Sequence, residues 1–269
     1  MRFETVQYEQ AGPVGVLRLH RPERMNAVIE QMYLDIQAVL AEAEADPALR
    51  ALILTGCVWA RPQGDKQVFC AGADLKKHSS GERTPWERRQ YIQLAHETAR
   101  RLYRFSRPVV AAVNGPARGA GAELVLACDF ILMADAATLA FSETTLGTFV
   151  GGAATALLPR WVGLAQARRL IYTGAVVDGP QAVRLGLALA SFPVERLQDE
   201  ALALARTLAE RAPISVAFAK ELINRAPQRD LETVLLAEAE AILACMQTRD
   251  WQEGLDAFAE KRAPRFVGQ

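Results

Sequence analysis

Two glutamates draw attention because each interrupts a long run of uncharged residues. Glu123 lies within the apolar segment 120–128, and Glu143 is the one charged residue between residues 136 and 159. Burying a carboxylate is costly unless its pKa rises, and a carboxyl group with a raised pKa can act as a general acid or base. Each glutamate also has a structural alternative. Glu123 could be a first-turn residue stabilised by a helix N-terminus, and Glu143 could act like an N-cap for a helix that follows Gly151.

Two turns rich in small residues, at 69–76 and 113–122, precede these glutamates. In both, an apolar strand pattern ends at glycine and alanine, and a helical pattern begins. The N–H groups at such a helix start lack partners within the helix and favour negative charge, as in an oxyanion hole. No Gly-Lys-Ser/Thr sequence follows, so neither turn matches a phosphate-binding loop. For the first turn the alternative is a plain turn in which Gly72 relieves backbone strain.

The elements that must position these residues are predicted from hydrophobic periodicity. The predicted strands span residues 3–10, 14–19, 51–55, 68–70, 109–113, 130–133 and 138–141. Helices are predicted from Asn26 to a stop near residues 46–47, over 85–107, and up to residue 127. The strand–helix–strand order of residues 14–55 predicts a crossover unit with parallel pairing. Residues 57–67 are expected to form a polar loop.

Beyond Pro193 the pattern changes to helices alone, predicted over residues 195–211, 213–225, 231–246 and 250–261. We therefore expect a division near residue 195. Residues 1–195 form a strand-rich core that carries the active site, and residues 196–269 form a helical C-terminal region. Together the two parts predict the α/β class.

Composition argues against several classes of function. Hydrophobic residues make up 51% of the 269 residues, and Lys plus Arg equals Asp plus Glu at 31 each. A balanced chain has no long-range field for a polyanion, so nucleic acid is not expected as a partner. The arginine-rich segment 85–107 is interpreted as a solvated helix flank, with a nucleic-acid-binding face as the alternative.

Cysteine and histidine usage predicts neither a metal site nor a secreted protein. The four cysteines and three histidines are scattered, with no CxxC pair and no visible zinc ligand set. Neither a signal peptide nor a membrane-spanning segment is recognised, so no membrane association is expected. A reducing compartment fits this cysteine usage, and a cytoplasmic location is the expectation.

Taken together, these motifs resemble the crotonase superfamily, and enoyl-CoA hydratases in particular. The resemblance rests on residues 69–76, on residues 114–129, and on Glu143 followed by Leu146 and Gly147. Residues 21–27 and 257–262 add further matches, so that nearly the whole chain is covered in the expected order. The resemblance implies a superhelix of repeated ββα units followed by a helical trimerisation region. It also implies a homotrimer or a dimer of trimers.

The resemblance assigns a role to each candidate residue. The N–H groups of Ala73 and Ala120 would bind the thioester oxygen of an acyl-CoA substrate, Glu123 would activate a water, and Glu143 would protonate the α-carbon. No metal or redox cofactor is implied, and fatty acid metabolism is the expected setting. Residues implied to contact the CoA moiety are Arg24, Met25, Ala27, Ala71, Asp74, Leu75, Lys76, Gly119, Phe258 and Lys261, the last two often from a neighbouring subunit.

The sequence departs from the family pattern in the residues around the two glutamates. Ala120 replaces a middle glycine, which requires a negative φ at that position. Ser142 stands where a proline is common, and residues 150–152 replace a Pro-Gly pattern. We expect these departures to affect the acyl specificity rather than the reaction type. The alternatives are a double-bond isomerase, another acyl-CoA lyase or hydrolase of this superfamily, and a non-catalytic relative that binds CoA thioesters or RNA.

Overall fold

A mixed six-stranded sheet forms the centre of the protein. The computed structural model describes residues 3–76 and 83–269. In the order β1-β2-β3-β6-β8-β11, β1 is antiparallel to β2 and all other neighbours are parallel. The strands are β1 Val6–Ala11, β2 Val14–Leu19, β3 Ala51–Thr55, β4 Cys57–Trp59, β5 Lys66–Val68, β6 Val109–Val113, β7 Ala117–Arg118, β8 Phe130–Ala134, β9 Thr138–Ala140, β10 Val177–Asp178 and β11 Ala190–Phe192.

Helices pack around this sheet, and the central strands β3 and β6 are buried at every residue. Such continuous apolar burial is typical of parallel strands covered on both faces. The helices are α1 Glu30–Ala45, α2 Pro85–Arg104, α3 Ala120–Leu126, α4 Ala154–Thr173, α5 Gly179–Arg184, α6 Val194–Ala209, α7 Pro213–Arg225, α8 Leu231–Met246 and α9 Arg249–Glu260. Thr84 caps α2 through a capping box with Glu87.

A second, smaller sheet brings the two candidate turns together. Its order is β10-β9-β7, and Cys70 of the first turn forms an isolated parallel bridge with Ala117 of β7. A second bridge pairs Val28 with Ala73. The chain therefore leaves the central sheet after β6, enters the second layer at β7, and begins α3 beside the first turn.

The structure confirms most of the predicted elements and corrects others. Strands β2, β3 and β6 and helices α7 and α8 have the predicted bounds. The polar loop predicted over residues 57–67 is wrong, because β4 and β5 pair there as an antiparallel hairpin. For α4 the sequence predicted only that a helix follows Gly151, because Pro159 lies inside it and Gly163 interrupts it with a φ of 74°. Helix α5 and strands β10 and β11 were missed.

The helices beyond residue 195 differ in how they pack. Helix α6 buries Leu197, Ala201 and Ala205 and contacts β3, β6 and β8, so it covers the central sheet. Helix α8, in contrast, has no buried residue. Large apolar side chains are exposed along α7, α8 and α9, namely Ile223, Leu231, Leu235, Leu236, Ile242, Leu243, Met246, Trp251, Leu255 and Phe258. The division at residue 195 stays a prediction, and the exposed apolar surface begins with α7.

None of the helices described here is long and apolar enough to cross a membrane. The arginines of α2 at positions 88, 89, 100, 101 and 104 are exposed, as expected of a solvated helix flank.

A buried ion pair ties α7 to the core. Lys220 Nζ lies 2.7 Å from Asp129 Oδ2, which also accepts a hydrogen bond from the Val109 N–H. We expect Lys220→Met to lower the free energy of unfolding by about 3 kcal/mol, because Asp129 would keep a poorly solvated charge without its partner. Arg225→Ala is the control, since its pair with Glu221 is about half exposed and is worth less than about 1 kcal/mol. Urea denaturation measures both, and equal losses would contradict the prediction.

Candidate active site

The two turns lie against each other, and Gly72 makes their approach possible. Its φ is +95°, and a Cβ at this position would lie 2.9 Å from the Arg118 carbonyl oxygen and 3.9 Å from the Ala120 nitrogen. The Arg118 N–H donates to the Cys70 carbonyl at 2.9 Å, which holds the two backbones in register. A side chain at position 72 would force these backbones apart. The alternative of a plain turn therefore does not account for Gly72, because the glycine also permits this close contact.

The N–H groups of Ala73 and Ala120 are both available to a ligand. Across residues 3–76 and 83–269, neither group donates a hydrogen bond. Ala120 is the first residue of α3, where N–H groups have no partner within the helix. Gly119, at φ 47°, takes the unusual backbone conformation, and Ala120 is not among the residues with positive φ. Ala120 therefore has the negative φ that an alanine requires at this position.

Glu123 is buried in the first turn of α3. Its side chain does not cap the helix; instead, Oε1 accepts a 2.6 Å hydrogen bond from the Gly151 N–H. Burial raises the pKa of Glu123 to about 7, the Gly151 hydrogen bond opposes this rise, and the nearby charge of Glu143 adds to it. A carboxyl group with this pKa can exchange a proton at neutral pH.

Glu143 begins a 3₁₀ helix, Glu143–Leu146, and is also buried. Its Oε1 lies 2.7 Å from the position that a Cβ of Gly119 would occupy, and its buried Oε2 has no hydrogen-bond partner among residues 3–76 and 83–269. Burial is the main cause that raises the pKa of Glu143. The N-cap alternative is wrong, because the helix after Gly151 begins at Ala154 with Ala153 as its N-cap. An orphaned buried carboxyl oxygen indicates a site for a ligand or a water.

The pH dependence of the site follows from this pair of carboxyl groups. In the roles that the resemblance implies, Glu123 is ionised and Glu143 is protonated, so the productive pair holds one proton. Because the charge of Glu143 helps to raise the pKa of Glu123, the last proton leaves at about pH 7, and a second proton binds at lower pH. We expect a bell-shaped profile of kcat/KM with its alkaline limb near pH 7.

Carboxyl ¹³C NMR tests the assignment of that limb. Glu143→Gln removes the neighbouring charge, so the pKa of Glu123 is expected to fall below 7. Glu238→Gln on the exposed face of α8 is the control and should leave this titration unchanged. A Glu123 titration that does not move in Glu143→Gln would contradict the coupling.

Residues 24–27, which the family resemblance implies contact CoA, lie beside the first turn. The Ala71 N–H donates to the Met25 carbonyl at 3.0 Å, and the Asp74 N–H donates to the Val28 carbonyl. Met25 and the buried Asn26 adopt left-handed backbone conformations, with φ values of 54° and 52°. Strain of this kind is found where surrounding contacts fix a functional segment.

The remaining predicted contacts divide into two groups. Arg24, Ala71, Leu75 and Lys76 are exposed around the first turn, Ala27 and Asp74 are half-buried, and Gly119 is buried below Glu143. Asp74 also lies 3.5 Å from Arg21. In contrast, Phe258 and Lys261 lie at the end of α9, which packs against α8, and Phe258 is 86% exposed. The single chain does not bring these two residues to the turns, and their role stays a prediction.

Sequence reasoning noted residues 150–152 only as a departure from the family pattern, and it did not foresee that Gly151, Gly152 and His96 lie around Glu123. A Cβ on Gly152 would lie 2.6 Å from the Glu123 Cβ, and a Cβ on Gly151 would lie 3.1 Å from Glu123 Oε2 and 3.3 Å from His96 Nε2. The glycine pair in an uncharged run was a usable signal, because paired glycines often mark a close approach. Nothing in the sequence around His96 indicates its position beside Glu123.

Comparisons with known proteins identify the family of the chain. The sequence model described as enoyl-CoA hydratase/isomerase matches residues 9–269. The chain is 34% identical to a crotonyl-CoA hydratase of Syntrophomonas wolfei over 269 residues, covering 100% of both chains. It is 38% identical to a putative enoyl-CoA hydratase of Thermus thermophilus, covering 97% of this chain and 100% of the relative.

The chain belongs to the enoyl-CoA hydratase/isomerase family. An enoyl-CoA hydratase structure from Bacillus anthracis superimposes with a TM-score of 0.92 at 34% identity, over 99% of this chain and 100% of that chain. The resemblance found in the sequence is therefore confirmed, as is the crotonase-type α/β fold.

A metal site is not visible in the described part of this crotonase-type chain. No group of three or more His, Cys, Asp or Glu residues there lies close enough to hold an ion. His78 lies outside the described residues.

Proposed function

We propose that this protein is an enoyl-CoA hydratase, which adds water across the 2,3 double bond of an enoyl-CoA thioester to give a 3-hydroxyacyl-CoA. The observation that carries this proposal is the pair of buried carboxyl groups, Glu123 and Glu143, beside the Ala73 and Ala120 N–H groups, which donate to no group in the described residues. The names of the relatives from Syntrophomonas wolfei and Thermus thermophilus support it.

The proposed mechanism uses the two N–H groups first. The thioester oxygen accepts hydrogen bonds from Ala73 and Ala120, where enolate charge develops in the transition state and preformed donors stabilise it most. Glu123, ionised, takes a proton from a water bound between the carboxyl groups, and the oxygen of that water attacks the β-carbon. Glu143, protonated, gives its proton to the α-carbon. The pair ends with its proton on Glu123, and exchange with solvent restores the starting state.

The first experiment tests whether the purified protein hydrates crotonyl-CoA. The reaction is monitored as the loss of the absorbance of the conjugated thioester. Turnover supports the proposal, and absence of turnover across enoyl-CoA substrates of several lengths would overturn it. Binding of CoA thioesters without turnover would instead indicate the non-catalytic alternative. Isomerisation of a 3-enoyl-CoA without hydration would indicate the isomerase.

We also propose that the reaction needs no metal or redox cofactor. The two carboxyl groups and two N–H groups supply the acid, the base and the charge stabilisation that hydration requires. Hydration should therefore persist after treatment with EDTA and exhaustive dialysis, and loss restored by a divalent metal would contradict this.

Self-association is the third part of the proposal. The exposed apolar side chains of α7, α8 and α9 are of the kind that subunit interfaces bury, and a second copy of this chain is the proposed occupant. We propose a homotrimer or a dimer of trimers. Light scattering coupled to size exclusion measures the mass, and a monomer at micromolar concentration would contradict it.

The proposed setting is fatty acid metabolism in the cytoplasm. Four free cysteines, three of them buried, support a reducing compartment. Cell fractionation with an antibody to the protein tests this location.

A further inference from the structure

A groove of about 690 Å³ lies between α2, α4 and α7, and one end of it is lined by neighbours of Glu123. His96 and Gly152 line that end. Both lie near Glu123. Gly152 packs against the Glu123 side chain, and a Cβ on Gly151 would lie 3.1 Å from Glu123 Oε2 and 3.3 Å from His96 Nε2. The groove therefore begins beside Glu123.

From His96 the groove follows one face of α2. Residues four apart lie on the same side of a helix, so His96, Arg100 and Arg104 form a row that spans about 12 Å. All three line the groove, and Arg160 lines it from α4. The far part of the groove is therefore basic.

The charges of this basic part are not equally available. Lys220 is paired with Asp129, Arg225 with Glu221, and Arg100 with Glu97. Among the described residues, Arg104 forms no hydrogen bond or ion pair. Arg160 donates to the Tyr103 hydroxyl at 3.2 Å but contacts no carboxylate within the described part of the chain. Two guanidinium groups thus remain without a counter-charge in a groove that also contains apolar side chains such as Leu157.

We propose that this groove binds an acyl group that ends in a carboxylate, with Arg104 and Arg160 as the residues that recognise it. The inference rests on the proposed function. The thioester end of the substrate lies at the Ala73 and Ala120 N–H groups, the double bond lies between the two glutamates, and the far end of the chain extends past His96 and Gly152. Guanidinium groups suit a carboxylate because they form charge-assisted, bidentate hydrogen bonds with it.

Matched pairs of substrates test the proposal. Each pair consists of two enoyl-CoA thioesters of equal chain length, one ending in a methyl group and the other in a carboxylate. The wild-type protein is expected to show a higher kcat/KM for the carboxylate-ended substrate. That advantage should shrink as salt is raised, because partly exposed charges are screened.

Variants identify the residues. Arg104→Gln and Arg160→Gln should each lower kcat/KM for the carboxylate-ended substrate about tenfold, through KM rather than kcat, and leave crotonyl-CoA hydration unchanged. Arg88→Gln is the matched control, because Arg88 lies on the same helix outside the groove, and it should change neither activity.

The outcomes separate this inference from the proposed function. A wild-type protein that hydrates crotonyl-CoA but does not prefer the carboxylate overturns only the inference. Equal losses on both substrates in the two variants also overturn it, since they indicate a structural role. A wild-type protein that hydrates no enoyl-CoA overturns both.

Discussion

Glu123→Gln is expected to lower kcat for the hydration of crotonyl-CoA about 1,000-fold, within the range that general acid–base groups contribute. The glutamine has the same shape, and its carbonyl oxygen can still accept the hydrogen bond from the Gly151 N–H, so the loop before α4 should keep its place. What is lost is the basic oxygen that takes a proton from water. Steady-state kinetics measures the loss, and Glu238→Gln on α8 is the control for substitution of an exposed glutamate.

Comparing Glu123→Gln with Glu143→Gln separates hydration from isomerisation. Isomerisation of a 3-enoyl-CoA moves a proton between carbons and needs no attack by water, so Glu143 alone can serve it. We expect Glu123→Gln to retain isomerisation and Glu143→Gln to lose both reactions. Hydration unaffected by Glu123→Gln would contradict the assignment of the base.

Gly72→Ala is expected to lower kcat at least about 100-fold, comparable to the loss of one oxyanion donor. The added Cβ would lie 2.9 Å from the Arg118 carbonyl oxygen, which is backbone and cannot rotate away. The two turns must therefore separate, and the Ala73 and Ala120 N–H groups can no longer converge on one oxygen. The φ of +95° adds strain, so the free energy of unfolding should also fall by about 2 kcal/mol.

Gly12→Ala is the matched control for this loss. Gly12 also has a positive φ, +62°, but a Cβ there would meet no atom within 4 Å. It should cost about 1 kcal/mol of stability and leave kcat unchanged. The contact between the turns would be unimportant for catalysis if Gly72→Ala and Gly12→Ala gave the same kcat.

Much of the fold follows from local patterns. Strands β3 and β6 are apolar runs that both faces of a parallel sheet bury, and α7 begins at a proline suited to a first helical turn. Helix α4 does not follow from such patterns, because Pro159 and Gly163 interrupt its periodicity and packing against the core decides its path. Strands β7 and β10 have two residues each, too few for any period to show.

The site was predictable to the extent that its residues are unusual for their surroundings. Glu123 and Glu143 are isolated charges in apolar segments, and this isolation identified them. The hydrogen bond from Gly151 to Glu123 joins residues 28 positions apart, and His96 reaches the same point from another helix. No local signal encodes such contacts, since they arise only when α2, α3 and α4 pack together.

The bond between Gly151 and Glu123 also makes the strength of the base depend on a loop. This N–H is the contact that holds the pKa of Glu123 down against burial. The loop that carries it, near Gly151 and Gly152, also lines the groove that we propose for the acyl group. An acyl group that displaces the loop would break this bond and raise the proton affinity of Glu123, while one that leaves it in place would not. The protein would then select among substrates through the pKa of Glu123 as well as through the fit of the acyl group. With a substrate that displaces the loop, Glu123 would be mostly protonated at neutral pH and unable to act as the base.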